Sequence, residues 1–198
     1  MKSSVKSLVL AGAMTLVLTP TQARADGFVS PWIGSAFGSN NGISGSSIKS
    51  GQTTFGVNAG GMGAGIIGGE VDFGYSPSFF GTKSDFGNNT VVDLMGNVIL
   101  GIPVGGTHGA GIRPFVTAGA GLLRTQIDGG KFSRGSSSSN GLGWNAGAGV
   151  MGYFAQHIGL RGDIRYLRGF KETDLGFTTG ANLNTLKFWR ASVGVVLR

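Results

Sequence analysis

Cysteine is absent from the 198 residues. That excludes a disulfide framework and any thiolate metal site, so an exported domain of this size must gain its stability in another way. Charge is scarce as well, with Asp, Glu, Lys and Arg together making up 13% of the chain. After residue 25 no stretch reaches the ~18 consecutive apolar residues of a membrane-spanning helix. Only two histidines are present, which leaves little material for a general base or an imidazole metal site. The formal charge is +7, but three of the bases, Lys2, Lys6 and Arg24, lie in an N-terminal stretch that has no acid. The remaining +4 is too mild to indicate nucleic acid as a partner.

What is abundant is glycine, 39 residues of it, in a chain whose mean hydropathy is slightly positive at +0.16. There is no G-X-Y period, so this is not collagen, and the many alternating apolar residues argue against disorder. The first stretch reads as a secretory leader. Lys2 and Lys6 precede the apolar run Leu8 to Leu18, and Ala23-Arg24-Ala25 forms an A-x-A cleavage pattern. The expectation is a cleaved signal peptide at 1–25 and one domain at 26–198.

Within that domain the hydrophobic period is two. Gly159 to Arg168 (GLRGDIRYLR) is the clearest case: Leu160, Gly162, Ile164 and Tyr166 share one face, and Arg161, Asp163 and Arg165 the other. Seven further segments follow the same rule: Phe28 to Gly38, Thr53 to Met62, Ile67 to Ser76, Val91 to Ile102, Ile112 to Thr125, Leu142 to Phe154 and Thr185 to Arg198. In the first segment the faces compete, and the preferred reading puts Val29, Pro31, Ile33 and Phe37 outwards in place of Phe28 and Trp32. The connections alternate long and short, with long polar stretches at 39–50, 79–89, 128–141 and 169–184. A transmembrane barrel sorts its connections in this way, whereas a soluble sandwich has no reason to. Segments of ten or so residues also suit tilted membrane strands better than the ~5–6 residues common in soluble sheets.

The fold class expected is therefore all-β, an eight-stranded antiparallel up-and-down transmembrane β-barrel. Its apolar faces point to lipid and its polar faces to the lumen. The lumen then holds the acids Glu70, Asp72, Asp93 and Asp163 and the bases Arg113, Arg161, Arg165 and Arg190. Eight strands enclose a space just wide enough for side chains to fill, so four acids meeting four arginines predicts a paired plug with no open pore. Tyr75, Trp144 and Trp189 are candidates for an aromatic girdle, with Trp32 a weaker one. A soluble exported sandwich or lipocalin-like barrel is the structural alternative, separable by partitioning into detergent.

These features resemble the OmpA/OmpX-like family of small outer-membrane β-barrel proteins: the leader, the eight-strand pattern, GGEVDFGYSP at 68–77 and GLRGDIRYLRG at 159–169. The resemblance covers the whole mature chain and implies a stand-alone barrel in the bacterial outer membrane, without a peptidoglycan-binding domain. It also implies contact with outer-membrane lipid, lipopolysaccharide and the barrel-assembly machinery. The chain departs from the family by ending in Val195-Val196-Leu197-Arg198 where an aromatic residue is usual.

Other motifs carry less. Gly63-x-Gly65-x-x-Gly68 matches the dinucleotide fingerprint by letter, but a strand follows it and no helix, so a β-turn is expected. His108 and His157 fall in short turns, at the wrong end for an outer-leaflet lipid hydrolase and without a partner at ligand spacing. Glu70 and Asp72 read as structural ion-pair members in preference to a catalytic pair. The serine run 136–139 reads as loop, and Asn88-Asn89-Thr90 is a sequon without meaning in a bacterial chain. No catalytic, cofactor or metal residue is expected. Lys49, Lys83, Arg124, Lys131, Arg134, Arg168, Lys171 and Lys187, against Asp85, Asp128, Glu172 and Asp174, would form a net basic rim able to bridge lipopolysaccharide phosphates. The function expected is that of a non-enzymatic barrel whose loops serve surface interaction or envelope integrity. The alternative is a narrow channel or transporter for small or apolar solutes.

Overall fold

The computed structural model describes residues 25–38, 51–77, 79, 89–105, 110–127, 137–170 and 186–198. Eight strands form in chain order: β1 (Ala25–Phe37), β2 (Gln52–Gly63), β3 (Ile67–Pro77), β4 (Asn89–Gly101), β5 (Gly111–Ile127), β6 (Ser137–Tyr153), β7 (Ile158–Gly169) and β8 (Lys187–Leu197). Each pairs antiparallel with its neighbours, and β8 returns to β1, so the sheet is a closed barrel. Closure removes the unpaired edges that a free sheet of this length would present. The strand ends that flank the long connections lie at one end of the barrel, and those that flank the connections between β2 and β3, β4 and β5, and β6 and β7 lie at the other. These are called here the long-connection end and the short-turn end.

The period-two pattern becomes an inside and an outside. In β7 the burial alternates without a break, with Arg161, Asp163, Arg165 and Leu167 buried and Leu160, Ile164 and Arg168 exposed. In β1 the competing faces are decided, since Phe28, Ser30 and Trp32 are buried in the lumen while Val29, Pro31 and Ile33 face out. Trp32 therefore stands inside the barrel and does not join an outer girdle. Its indole lies over Gly56 of β2, where an added Cβ would come within 2.9 Å of the ring. Strand β1 starts at Ala25 and so includes residues ahead of Phe28.

The sequence-based boundaries need two further corrections. Strand β6 begins at Ser137, because β5 continues to Ile127 and pairs with it through Thr125↔Ser139 and Ile127↔Ser137. The serines at 137–139 are therefore strand and not loop. Phe79, expected in a loop, is fully buried and packs edge-on against Phe188 with ring centroids 4.9 Å apart. Aromatic burial of this kind is worth more than exposure in a polar connection.

The seam that closes the barrel has one irregularity. Strands β1 and β8 pair at Val29↔Leu197 and then from Trp32↔Gly194 onwards, skipping Ser30 and Pro31. Pro31 has no N–H to give to the ladder.

Candidate functional site: the lumen and its rim

The lumen is filled in three tiers. At the long-connection end Ala36, Phe79, Val91, Leu123, Leu167 and Phe188 belong to one buried apolar cluster. At the short-turn end Phe28, Met62, Ile99, Phe115, Met151 and Tyr153 belong to a second. Between them lies a charged and amide-rich tier.

That middle tier is built on β7. Arg161, Asp163 and Arg165 alternate with outward residues, so one strand delivers two guanidiniums with a carboxylate between them. Arg161 Nη1 reaches Glu70 Oε2 at 2.5 Å and its Nε reaches Asp163 at 2.9 Å. Arg165 Nη2 donates to Glu70 Oε1 at 2.8 Å, and the same guanidinium lies 3.3 Å from Asp72 and 3.2 Å from Asp163. Arg190 on β8 donates to Asp72 and, at 2.7 Å, to Asp93. The planar fork of arginine lets a single side chain serve carboxylates from several strands.

Neutral groups complete the carboxylates. Asn58 donates to Asp72 at 2.7 Å, Asn97 to Glu70 at 3.2 Å, and Ser192 Oγ to Asp163 at 2.9 Å. Aromatic faces cover the arginines: Arg161 lies 4.7 Å from the Phe115 ring centroid and Arg190 lies 4.3 Å from that of Trp32. Room for these side chains comes from inward glycines. A Cβ at Gly74 would strike Asp93 and come within 2.6 Å of Arg190 Nη1, and one at Gly147 would come within 2.8 Å of Arg165 Cγ.

The structure does not bring Arg113 into this set. It is buried, yet its nearest acid is Asp26 at 3.7 Å, beyond hydrogen-bond distance, and Arg198 lies 3.6 Å from the same carboxylate. Tyr153 stacks against both arginines, 5.5 Å from Arg113 and 4.4 Å from Arg198. The expectation of four acids matched to four bases is thus corrected. Among the described residues the middle tier joins four carboxylates to three guanidiniums, and Arg113 belongs to a separate group at the short-turn end. Parity along β5 put Arg113 on the lumen face, but parity says nothing about height along the axis. Neither Asp26 nor Arg198 was read from the sequence as a lumen charge, because each stands alone at the end of a segment.

On the outer wall, aromatic residues collect near the long-connection end. Tyr75 packs with Phe55 at 5.2 Å, and Tyr166 lies between Trp144 at 5.6 Å and Trp189 at 5.2 Å. Beyond them toward that end, Arg168 and Lys187 face each other across β7 and β8, and Arg124 is exposed on β5. Lys49, Lys83, Lys131, Arg134 and Lys171 lie outside the described residues, as do Asp85, Asp128, Glu172, Asp174 and His108. His157 is exposed in the β6–β7 turn. No cluster of three metal-ligating side chains occurs among the described residues. The Gly63-x-Gly65-x-x-Gly68 segment is the β2–β3 turn, with Gly65 at φ 69°.

The comparisons agree with this architecture. The crystal structure of Neisserial surface protein A superposes with a TM-score of 0.62 at 15% identity, covering 86% of this chain and 96% of that one. Ail, the attachment invasion locus protein of Yersinia pestis, gives a TM-score of 0.53 at 16% identity, over 86% and 97% of the two chains. It has also been solved in complex with the heparin analogue sucrose octasulfate. Outer membrane protein H of P. aeruginosa gives 0.51 at 20% identity, over 87% and 98%. At these identities the likeness is one of fold. No curated protein matches the chain by sequence. The family model for the outer membrane protein beta-barrel domain matches residues 9–198. The chain therefore belongs to the outer membrane protein beta-barrel domain family, and its place is the bacterial outer membrane.

Proposed function

We propose that this protein is a non-enzymatic barrel with a plugged lumen, and that its outward-facing end serves surface interaction or envelope integrity. The observation that carries the reading is the three-tier filling of the lumen. An ion would have to displace the Phe79–Phe188 pair, cross the paired carboxylates and arginines, and then pass Phe28, Phe115 and Tyr153. Moving a charge through such tiers means unpairing buried ions, which costs several kcal/mol per ion. Cleavage after Ala25, which would leave Asp26 as the first residue, is part of the same proposal.

The rim supports a lipopolysaccharide contact. Arg168 and Lys187 are directly opposed across two strands, and like charges so placed repel unless an anion lies between them. A lipid phosphate or a sulfated or phosphorylated sugar is an anion of the right kind. The structure of Ail with a heparin analogue offers a parallel in a barrel of similar fold.

Conductance in planar bilayers tests the plug. The refolded mature protein is expected to be silent, and the Arg161→Ala/Arg165→Ala variant to leak. Steady ion-selective openings in the unaltered protein would refute the plug and establish the narrow-channel reading.

A further inference from the structure

Arg113 is a buried cation that the charge network of the lumen leaves out. Its side chain is 3% exposed, and among the described residues its nearest acid is Asp26 at 3.7 Å. Each arginine of the middle tier has a carboxylate oxygen within 2.8 Å, whereas Arg113 has none within hydrogen-bond distance. One nitrogen of every lumen arginine lacks an acceptor among the described residues, Nε in the case of Arg113. For Arg113 alone no carboxylate bonds the other nitrogens either, and its Nη1 points to the Met62 sulfur at 3.9 Å.

A second guanidinium faces the same point. Arg198 Nη1 lies 3.6 Å from Asp26 Oδ2, the oxygen that Arg113 Nη2 approaches, and its Nε donates to the Gln156 carbonyl at 3.2 Å. The Tyr153 ring lies against both cations and orients their planes. Two guanidiniums thus meet one carboxylate oxygen that is too distant to bond either, and positive charge is in excess. The β2–β3 turn covers Arg113 from one side, since a Cβ at Gly65 would come within 2.8 Å of its Nη2. Asp26, with its side chain 21% exposed, is the most open member of the group and marks the way in from the aqueous side.

We propose that this mouth of the barrel binds one oxyanion of the phosphate class, bridging Arg113 and Arg198. A buried guanidinium is stable only when an anion bonds it. A tetrahedral oxyanion presents separate oxygens to the two planar forks, which one carboxylate oxygen lying between them does not do. Asp26 opposes the anion and so selects for one of high charge over chloride. The short turns of a barrel of this family face the periplasm, so the source is either free phosphate or the phosphate of an inner-leaflet phospholipid. Phe28, Met62 and Phe115 close the lumen around this end, which makes the mouth a binding site and not the entrance to a pore.

The test follows the arginine Nε–Hε signals by NMR while sodium phosphate is titrated, at constant ionic strength, into the refolded mature protein in maltoside micelles, which contain no phosphate. The Arg113 and Arg198 signals are expected to move and saturate, while those of Arg161, Arg165 and Arg190 stay in place. Arg113→Met should abolish the response of Arg198, and Asp26→Asn, which removes the opposing charge, should tighten binding about tenfold. Heat-shifted migration on gels confirms that each variant is folded, and Asp26→Asn provides the test if Arg113→Met is not. A second arm uses phosphatidylglycerol nanodiscs. Signals already at the bound position there, and indifferent to added phosphate, identify the lipid headgroup as the source; signals that move only on adding phosphate identify the free anion. Four results would overturn the proposal: no saturable change in either medium, an equal change with sodium chloride alone, undiminished binding in Arg113→Met, or binding in Asp26→Asn no tighter than in the unaltered protein.

Discussion

The two charged regions of the lumen are built from the same residue types and are held very differently. In the middle tier each arginine reaches two or three acids, with contacts from 2.5 to 3.3 Å where they are of ordinary length. At the short-turn end Arg113 and Arg198 share Asp26 at 3.7 and 3.6 Å, beyond hydrogen-bond distance. The difference comes from where the partners are anchored. Mid-strand residues on β3, β4, β7 and β8 are locked by ladders on both sides, so their side chains converge at a fixed height. Asp26 and Arg198 stand at or just beyond the ends of β1 and β8, and Asp26 is held by a ladder on one side only, pairing with Met62 of β2 and with no residue of β8. A buried charge needs preorganised partners to offset its desolvation, and only the middle of the barrel supplies them.

Three substitutions sharpen that contrast when unfolding is followed by denaturant titration in lipid or detergent. Arg165→Met should have the largest effect, a loss of about 3–5 kcal/mol, because it leaves Glu70, Asp72 and Asp163 short of a shared cation. Asp93→Asn should cost far less, about 1 kcal/mol. The amide can still accept from Arg190, and the change brings four carboxylates against three guanidiniums into balance. A loss as large as that of Arg165→Met would show that Asp93 is ionised and needed as such. Arg113→Met should have the smallest effect, within about 1 kcal/mol and of either sign, because an apolar chain beside Met62 replaces a poorly paired charge. A loss of several kcal/mol there would erase the contrast between the two regions.

Some of this was legible along the chain and some was not. Strand parity needs nothing beyond local sequence, so Arg161, Asp163 and Arg165 could be placed on one face from the letters alone. Where both faces are apolar, as in Phe28 to Phe37, parity names two answers, and only the presence of Arg190 and Arg161 beside the Trp32 and Phe28 rings selects one. Phe79 was missed because it follows a proline in a polar stretch and finds its partner, Phe188, more than a hundred residues away.

By itself the sequence determined the class: eight alternating strands, an apolar outer wall and a polar lumen, since each follows from period and composition within a strand. The tertiary structure decided the pairings. Height along the barrel axis depends on strand tilt and on the register between neighbours, quantities that belong to no single segment. For that reason Arg113 lies with Asp26 and Arg198 and not with the acids of the middle tier.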